Sequence, residues 1–187
     1  MIYRPMVQEG YEWINTEDPA DYEVFLSFDG RSYAADWRPV RVRRVRMDAR
    51  RACMASDFPW LGGHALIFRS TAVESLRDLL EASGEVLPLA TSDGVELYVL
   101  NVTRILDAID EQRSSIVRFA GTNRVMRIEK IAFVPSLVQD IDIFRLPHRS
   151  TPTYVSQQFV DRFNSAKLCG LEFLPVWPHS ERATQSL

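Results

Sequence analysis

Apolar residues recur at helical spacing between residues 71 and 83 of the chain. This stripe predicts an amphipathic helix, because residues three and four positions apart share one face. Thr71 is the predicted N-cap, and Glu74 three positions later completes a capping-box pattern. Gly84 directly follows the stripe and is the residue type that most often ends a helix.

Two further stripes have the same period, and they predict two more helices. The first covers residues 102–111 and leaves its acidic positions toward solvent. The second covers residues 156–168, with Ser156 as the predicted N-cap and Gly170 as the predicted end.

Alternation of apolar and polar residues predicts strands over much of the remaining chain. Asp29-Gly30 and Asp93-Gly94 are typical hairpin turns, and the first would join strands over residues 22–28 and 32–37. A third hairpin is predicted around the turn Gly121-Thr122-Asn123. Mostly antiparallel strands with about three helices define the α+β class.

Two strands change the parity of their apolar positions, which predicts a β-bulge in each. The expected places are Arg43-Arg44 and Glu129-Lys130. The chain closes with a strand predicted over residues 171–177.

The composition is that of a folded globular protein, with 187 residues, 46% hydrophobic and 25% charged. Disorder is therefore excluded for most of the chain. No apolar run is typical of a secretory signal or a membrane span, so a cytoplasmic protein without a membrane partner is expected. The net charge of −3 argues against a dedicated nucleic-acid binder.

Charge is strongly divided along the first quarter of the chain. Residues 1–30 hold seven acidic residues and one arginine, whereas residues 31–51 hold eight arginines and two aspartates. Charge complementarity and exposed aromatic side chains both favour protein binding. The candidate partner-binding residues are Glu12, Trp13, Glu17, Asp18, Asp21 and Glu23. The alternative is a solvated loop with its aromatic rings turned inward.

The arginines of residues 38–51 have two interpretations. They can pair with nearby carboxylates within a structural ribbon, or they can contact phosphates of a nucleic acid or another anion. Signatures of catalysis are missing from the sequence: it has no G-x-S-x-G, H-E-x-x-H or paired C-x-x-C. We therefore predict no catalytic residue, no metal ligand and no cofactor.

Residues 56–177 resemble a known family through runs that occur in the family's order. The runs are SDFPWLGG, LIFRSTAVESLRDLL, GEVLPL, YVLNVTRILDAID, IFRLPHRSTPTYVSQQFVDRF and GLEFLPVW. Together they resemble immunity family eleven of bacterial polymorphic toxin systems. The resemblance implies a cytoplasmic protein that neutralises a cognate toxin by stoichiometric binding and catalyses no reaction. Such toxins are delivered by type VI or other contact-dependent secretion, and a nuclease is one candidate.

With this resemblance, the chain divides into three expected parts. Residues 1–55 form an N-terminal β region packed on the rest, residues 56–178 form the immunity-family core, and residues 179–187 form a flexible tail. Two alternative functions remain open, an anion-binding or nucleic-acid-binding module that uses residues 38–51 and a small hydrolase with an unrecognised site. The oligomeric state is left open by the sequence.

Overall fold

The computed structural model describes residues 1–48, 50–122, 125–147 and 151–178. The tail expected over residues 179–187 lies outside this range, as does Asn123 of the third predicted turn. The strands are β1 (Ile2–Val7), β2 (Trp13–Thr16), β3 (Arg41–Val45), β4 (Met47–Asp48), β5 (Arg51–Ala52), β6 (Ile67–Arg69), β7 (Gly84–Pro88), β8 (Ala90–Thr91), β9 (Leu97–Val102), β10 (Ser115–Arg118), β11 (Val125–Lys130), β12 (Ile143–Phe144), β13 (Tyr154–Ser156) and β14 (Leu171–Trp177). The helices are α1 (Tyr22–Leu26), α2 (Ser70–Ser83), α3 (Pro135–Val138) and α4 (Gln157–Ser165), and a 3-10 turn, Pro19–Asp21, precedes α1.

The fold is α+β, as the sequence predicts, and its strand pairs are mostly antiparallel. The largest sheet has the strand order β12-β13-β1-β14, and another has the order β6-β9-β7. A third sheet, β2-β3-β8, contains a parallel pair between β3 and β8. Because β1 lies between β13 and β14, the N-terminal residues share a sheet with the C-terminal part of the chain.

The two long helices pack together over the main core. Leu76 and Leu79 of α2 and Phe163 of α4 are all buried in one cluster. Arg162 of α4 also donates to Asp78 of α2 at 2.9 Å. The period-3.6 stripes of both helices therefore predict the inward faces correctly.

The start of α4 is confirmed and that of α2 is not. Phe159 N–H donates to Ser156 Oγ at 3.2 Å, which is the predicted cap. Helix α2 begins at Ser70, and the Thr71 hydroxyl donates to Asp57 Oδ1 at 3.1 Å rather than capping the helix. The capping-box prediction is wrong because a carboxylate from another segment binds the Thr71 hydroxyl.

The predicted first hairpin is also wrong. Residues 22–26 form α1 and residues 32–37 lie in turns and irregular structure. Pro19 at the start of the 3-10 turn, with Asp18 Oδ1 accepting from Ala20 N–H, favours helical geometry over a strand. Phe25 and Phe28, three positions apart, are both buried.

The helix predicted over residues 102–111 does not form. Its backbone instead bonds to neighbouring segments, with Leu106 N–H donating to Arg145 O at 2.8 Å and Asp110 N–H to Ala132 O at 2.9 Å. Tertiary pairing thus overrides a short helical period.

The other two hairpins are confirmed as antiparallel pairs, β7 with β9 and β10 with β11. The β11 bulge is confirmed, because Ser115 pairs with Lys130 while Ile116 pairs with Ile128, which leaves Glu129 as the extra residue. The bulge expected at Arg43-Arg44 is wrong: β3 continues to Val45, and the strand is interrupted at Arg46.

Candidate protein-docking surface

Four of the five acidic residues predicted to bind a partner lie between β2 and the end of α1. Glu17 follows β2, and its N–H donates to Arg41 O at 2.9 Å, which fixes the segment beside β3. Glu17, Asp18 and Glu23 are exposed, while Asp21 is half-buried. We call these four residues the acidic surface.

Glu12 is separate from this surface, because the structure buries it to 2% exposure. Arg44 Nη1 donates to Glu12 Oε2 at 3.0 Å, and Arg69 Nη2 donates to Glu12 Oε1. Ser56 N–H also donates to Glu12 Oε1, at 3.2 Å. The expectation that Glu12 contacts a partner is therefore corrected: this carboxylate joins β2, β3 and β6 inside the protein.

Trp13 lies half-buried on the opposite face of β2 from Glu12 and Ile14. It pairs with Val45 in the register of β2 and β3, and it forms an isolated bridge with Trp60. The indole thus lies on a partly covered face of the sheet that also presents the exposed side chains of Arg41 and Arg43.

Among the arginines of residues 38–51, Arg44 is the one that forms ion pairs within the described residues. Its guanidinium joins Glu12 to Asp93, whose Oδ2 lies 2.6 Å from Arg44 Nη2. The other arginines of this segment form no ion pair within the described residues and are exposed: Arg38, Arg41, Arg43, Arg46, Arg50 and Arg51. We call these six residues the arginine surface. The structural-ribbon interpretation therefore applies to Arg44 and not to the six.

The acidic surface and the arginine surface are neighbours, since Glu17 directly adjoins Arg41 in the pairing of β2 with β3. The acidic and basic parts of the sequence thus form two separate but adjacent surfaces in the folded protein. A partner that covers both surfaces would need complementary charge on two adjacent areas, which selects against partners of uniform charge.

Burial shifts the pKa of His64 and that of Cys169. Burial, together with the charge of Arg145, lowers the pKa of His64 to about 4, so this imidazole is neutral near pH 7. Burial raises the pKa of the Cys169 thiol, whose Sγ lies 3.3 Å from Asp57 Oδ2. No group of three or more His, Cys, Asp or Glu in the described residues is placed to hold a metal ion. None of the described helices is long and apolar enough to cross a membrane.

Arg145, which is 1% exposed, is a buried charged residue that the sequence patterns did not identify. It directly follows β12, between the buried residues Phe144 and Leu146. An arginine with apolar residues on both sides, Phe144 before it and Leu146 after it, is the signal that would have drawn attention to it.

The comparison with protein families supports the resemblance found in the sequence. Residues 89–177 match the model of the immunity protein family, Imm11. The match runs from the end of β7 to the end of β14, so it includes α4 and Arg145. No curated protein matches the chain.

The Imm11 match is shorter than the resemblance over residues 56–177, because residues 56–88 with α2 lie outside it. The acidic surface and the arginine surface also lie outside it. The Imm11 segment is nevertheless joined to the N-terminal residues by hydrogen bonding, since β14 pairs with β1 along Ile2–Val7.

Proposed function

We propose that this chain is an immunity protein that binds a cognate bacterial toxin in the cytoplasm and neutralises it by forming a stoichiometric complex. The observation that carries this proposal is the Imm11 match of residues 89–177. The toxin is a contact-delivered effector, with type VI secretion as one route. In this proposal the protein acts by occupying the toxin and not by a reaction of its own.

The acidic surface is the proposed docking area, with the half-buried Trp13 nearby as an aromatic contact. Exposed carboxylates at Glu17 and Asp18 attract a basic partner and raise the rate of encounter. A nuclease fits this chemistry, because a surface that binds phosphates is basic. The toxin's basic surface would then face negative charge, as it does on a nucleic-acid backbone.

Growth rescue tests the proposal. We expect cells that express the toxin encoded beside this gene to stop growing, and co-expression of this chain to restore growth. The two proteins should co-purify. A matched control is co-expression with an unrelated toxin, from which no protection is expected. Failure to restore growth, or protection without association, would contradict binding as the mechanism.

The acidic surface predicts a slower encounter when its charge is changed. We expect Glu17→Lys with Asp18→Asn to lower the association rate constant with the toxin by about tenfold at low salt, because charges at an interface rim act mainly on encounter. Asparagine at position 18 keeps an oxygen for the cap on Ala20 N–H. Stopped-flow or surface-based kinetics at several salt concentrations measure the effect.

The matched control is Glu74→Lys with Glu96→Gln, which raises the net charge by the same amount. Both positions are exposed and lie on the α2 side of the molecule. Its association rate should change much less than that of the Glu17 and Asp18 variant. Equal rates for wild-type protein and a stably folded Glu17 and Asp18 variant would remove the acidic surface from the interface.

The six exposed arginines favour a second candidate function, the binding of nucleic acid or another polyanion. Fluorescence anisotropy with a labelled duplex distinguishes the two. Binding that weakens steeply with salt and is lost on Arg41→Glu with Arg43→Glu would support this second function.

A further inference from the structure

A cavity of about 540 Å³ lies between the end of α1 and the segment that contains Arg145. Its volume is in the range of small-molecule sites. Most of its wall is apolar, formed by Leu26, Phe28, Ile105, Leu146 and Pro147.

Arg145 lines this cavity and is almost completely buried, with 1% exposure. Its Nη1 donates at 2.9 Å to the carbonyl oxygen of Phe28, and this acceptor carries no charge. Its Nε is buried and has no hydrogen-bond partner among the residues that the structure describes. No carboxylate of the described residues forms an ion pair with this guanidinium, although a buried charge is costly without one.

Other groups near Arg145 do not offset its charge. His64 lies close enough for the guanidinium to contribute to its lowered pKa, and a neutral imidazole carries no negative charge. Glu23 and Asp29 line the cavity but are themselves exposed, and Asp29 lies 3.7 Å from Arg31. Water screens these two carboxylates, whereas the field of a buried guanidinium is screened much less.

We propose that this cavity is a binding site for a small organic carboxylate with an apolar body. The carboxylate would accept a hydrogen bond from the Arg145 guanidinium and offset its charge. The apolar body would pack against Leu26, Ile105 and Leu146. Arginine suits this role because its planar fork matches a carboxylate. The site is independent of the toxin-neutralising function, and its test uses the chain without the toxin.

Phenylacetate and its neutral analogue phenylacetamide are suitable probes, since they differ mainly in charge at one end. We expect phenylacetate to bind and raise the melting temperature, and phenylacetamide to bind about tenfold or more weakly, because a hydrogen bond to a charged group is stronger than one between neutral groups. Isothermal titration calorimetry on the full chain measures both affinities. No binding of phenylacetate, or equal binding of the amide, would overturn the proposal.

Two variants locate the binding. Arg145→Gln removes the charge and should abolish the preference for phenylacetate over the amide. If that variant does not fold, Leu26→Trp gives an independent test, because Leu26 is half-exposed and the larger side chain fills the cavity while Arg145 stays in place. We expect Leu26→Trp to stay folded and lose phenylacetate binding. Unchanged phenylacetate affinity in a folded Leu26→Trp variant would show that the probe binds elsewhere.

Discussion

Replacing Glu12 by glutamine is expected to lower the free energy of unfolding by about 3–5 kcal/mol, because removing one partner leaves buried charges uncompensated. Glu12 is 2% exposed and accepts hydrogen bonds from both Arg44 and Arg69. Glutamine has nearly the same shape but presents an amide NH₂ where one arginine needs an acceptor. In the variant, Arg44 still has Asp93 as a partner. For Arg69, the hydrogen bond that remains within the described residues is the one to the carbonyl oxygen of Ser56.

Urea unfolding followed by circular dichroism measures this loss. Glu17→Gln is the matched control, since it makes the same chemical change at an exposed position in the next stretch of chain. Exposed substitutions of this kind usually change stability by less than about 0.5 kcal/mol. A Glu12→Gln variant that is within about 1 kcal/mol of wild type would contradict the structural role of this ion-pair network.

Replacing Gly84 by alanine is expected to lower the free energy of unfolding by about 3 kcal/mol or more, because an added methyl group overlaps the backbone of the next strand. A Cβ at position 84 would collide with the carbonyl oxygen of Asn101 and lie 3.0 Å from Val102 Cα. Gly84 pairs with Val102 at the start of β7, so neither strand can move without losing its hydrogen bonds.

The control for this effect is Gly94→Ala, at the turn of the same hairpin. Gly94 has a φ of 75° and no atom within 4 Å of an added Cβ. Its replacement costs backbone strain alone, about 1–2 kcal/mol. Thermal unfolding of both variants measures the difference. Equal losses would show that the collision with Asn101 is relieved by a small shift of β9.

The role of Gly84 illustrates where the sequence misleads. A glycine after an amphipathic stripe predicts a left-handed helix end. In the structure its φ is 171°, which is extended backbone that any residue adopts. The glycine is required by the close approach of β9, and that approach depends on strand pairing with Val102, 18 positions further along the chain.

The long amphipathic elements could be predicted because their signals are local. Helix α4 begins at its predicted cap, and β14 has the predicted bounds, residues 171–177. Short elements failed for the opposite reason: α1 and the segment 102–111 have too few residues for one period to dominate. Their conformations follow the contacts they make with distant strands.

The candidate site also has features that the sequence predicts and features that depend on distant contacts. The sequence identifies the acidic stretch, but which carboxylate is buried depends on Arg44 and Arg69, 32 and 57 positions away from Glu12. Likewise, the sequence shows many arginines, and only the folded chain separates the paired Arg44 from the exposed arginine surface. Arg145 was missed because its burial without an acidic partner in the described part of the chain is a property of the packed structure.

Titration of purified toxin with this protein tests the central claim most directly. The toxin's own activity is measured while the protein is added in increasing amounts, and the mixture is analysed by size-exclusion chromatography. Stoichiometric neutralisation predicts that activity falls linearly to zero at a fixed molar ratio, where all toxin elutes in a complex with this chain. Loss of toxin activity at amounts far below that ratio, with no complex on the column, would contradict neutralisation by binding and would indicate that the chain modifies the toxin catalytically.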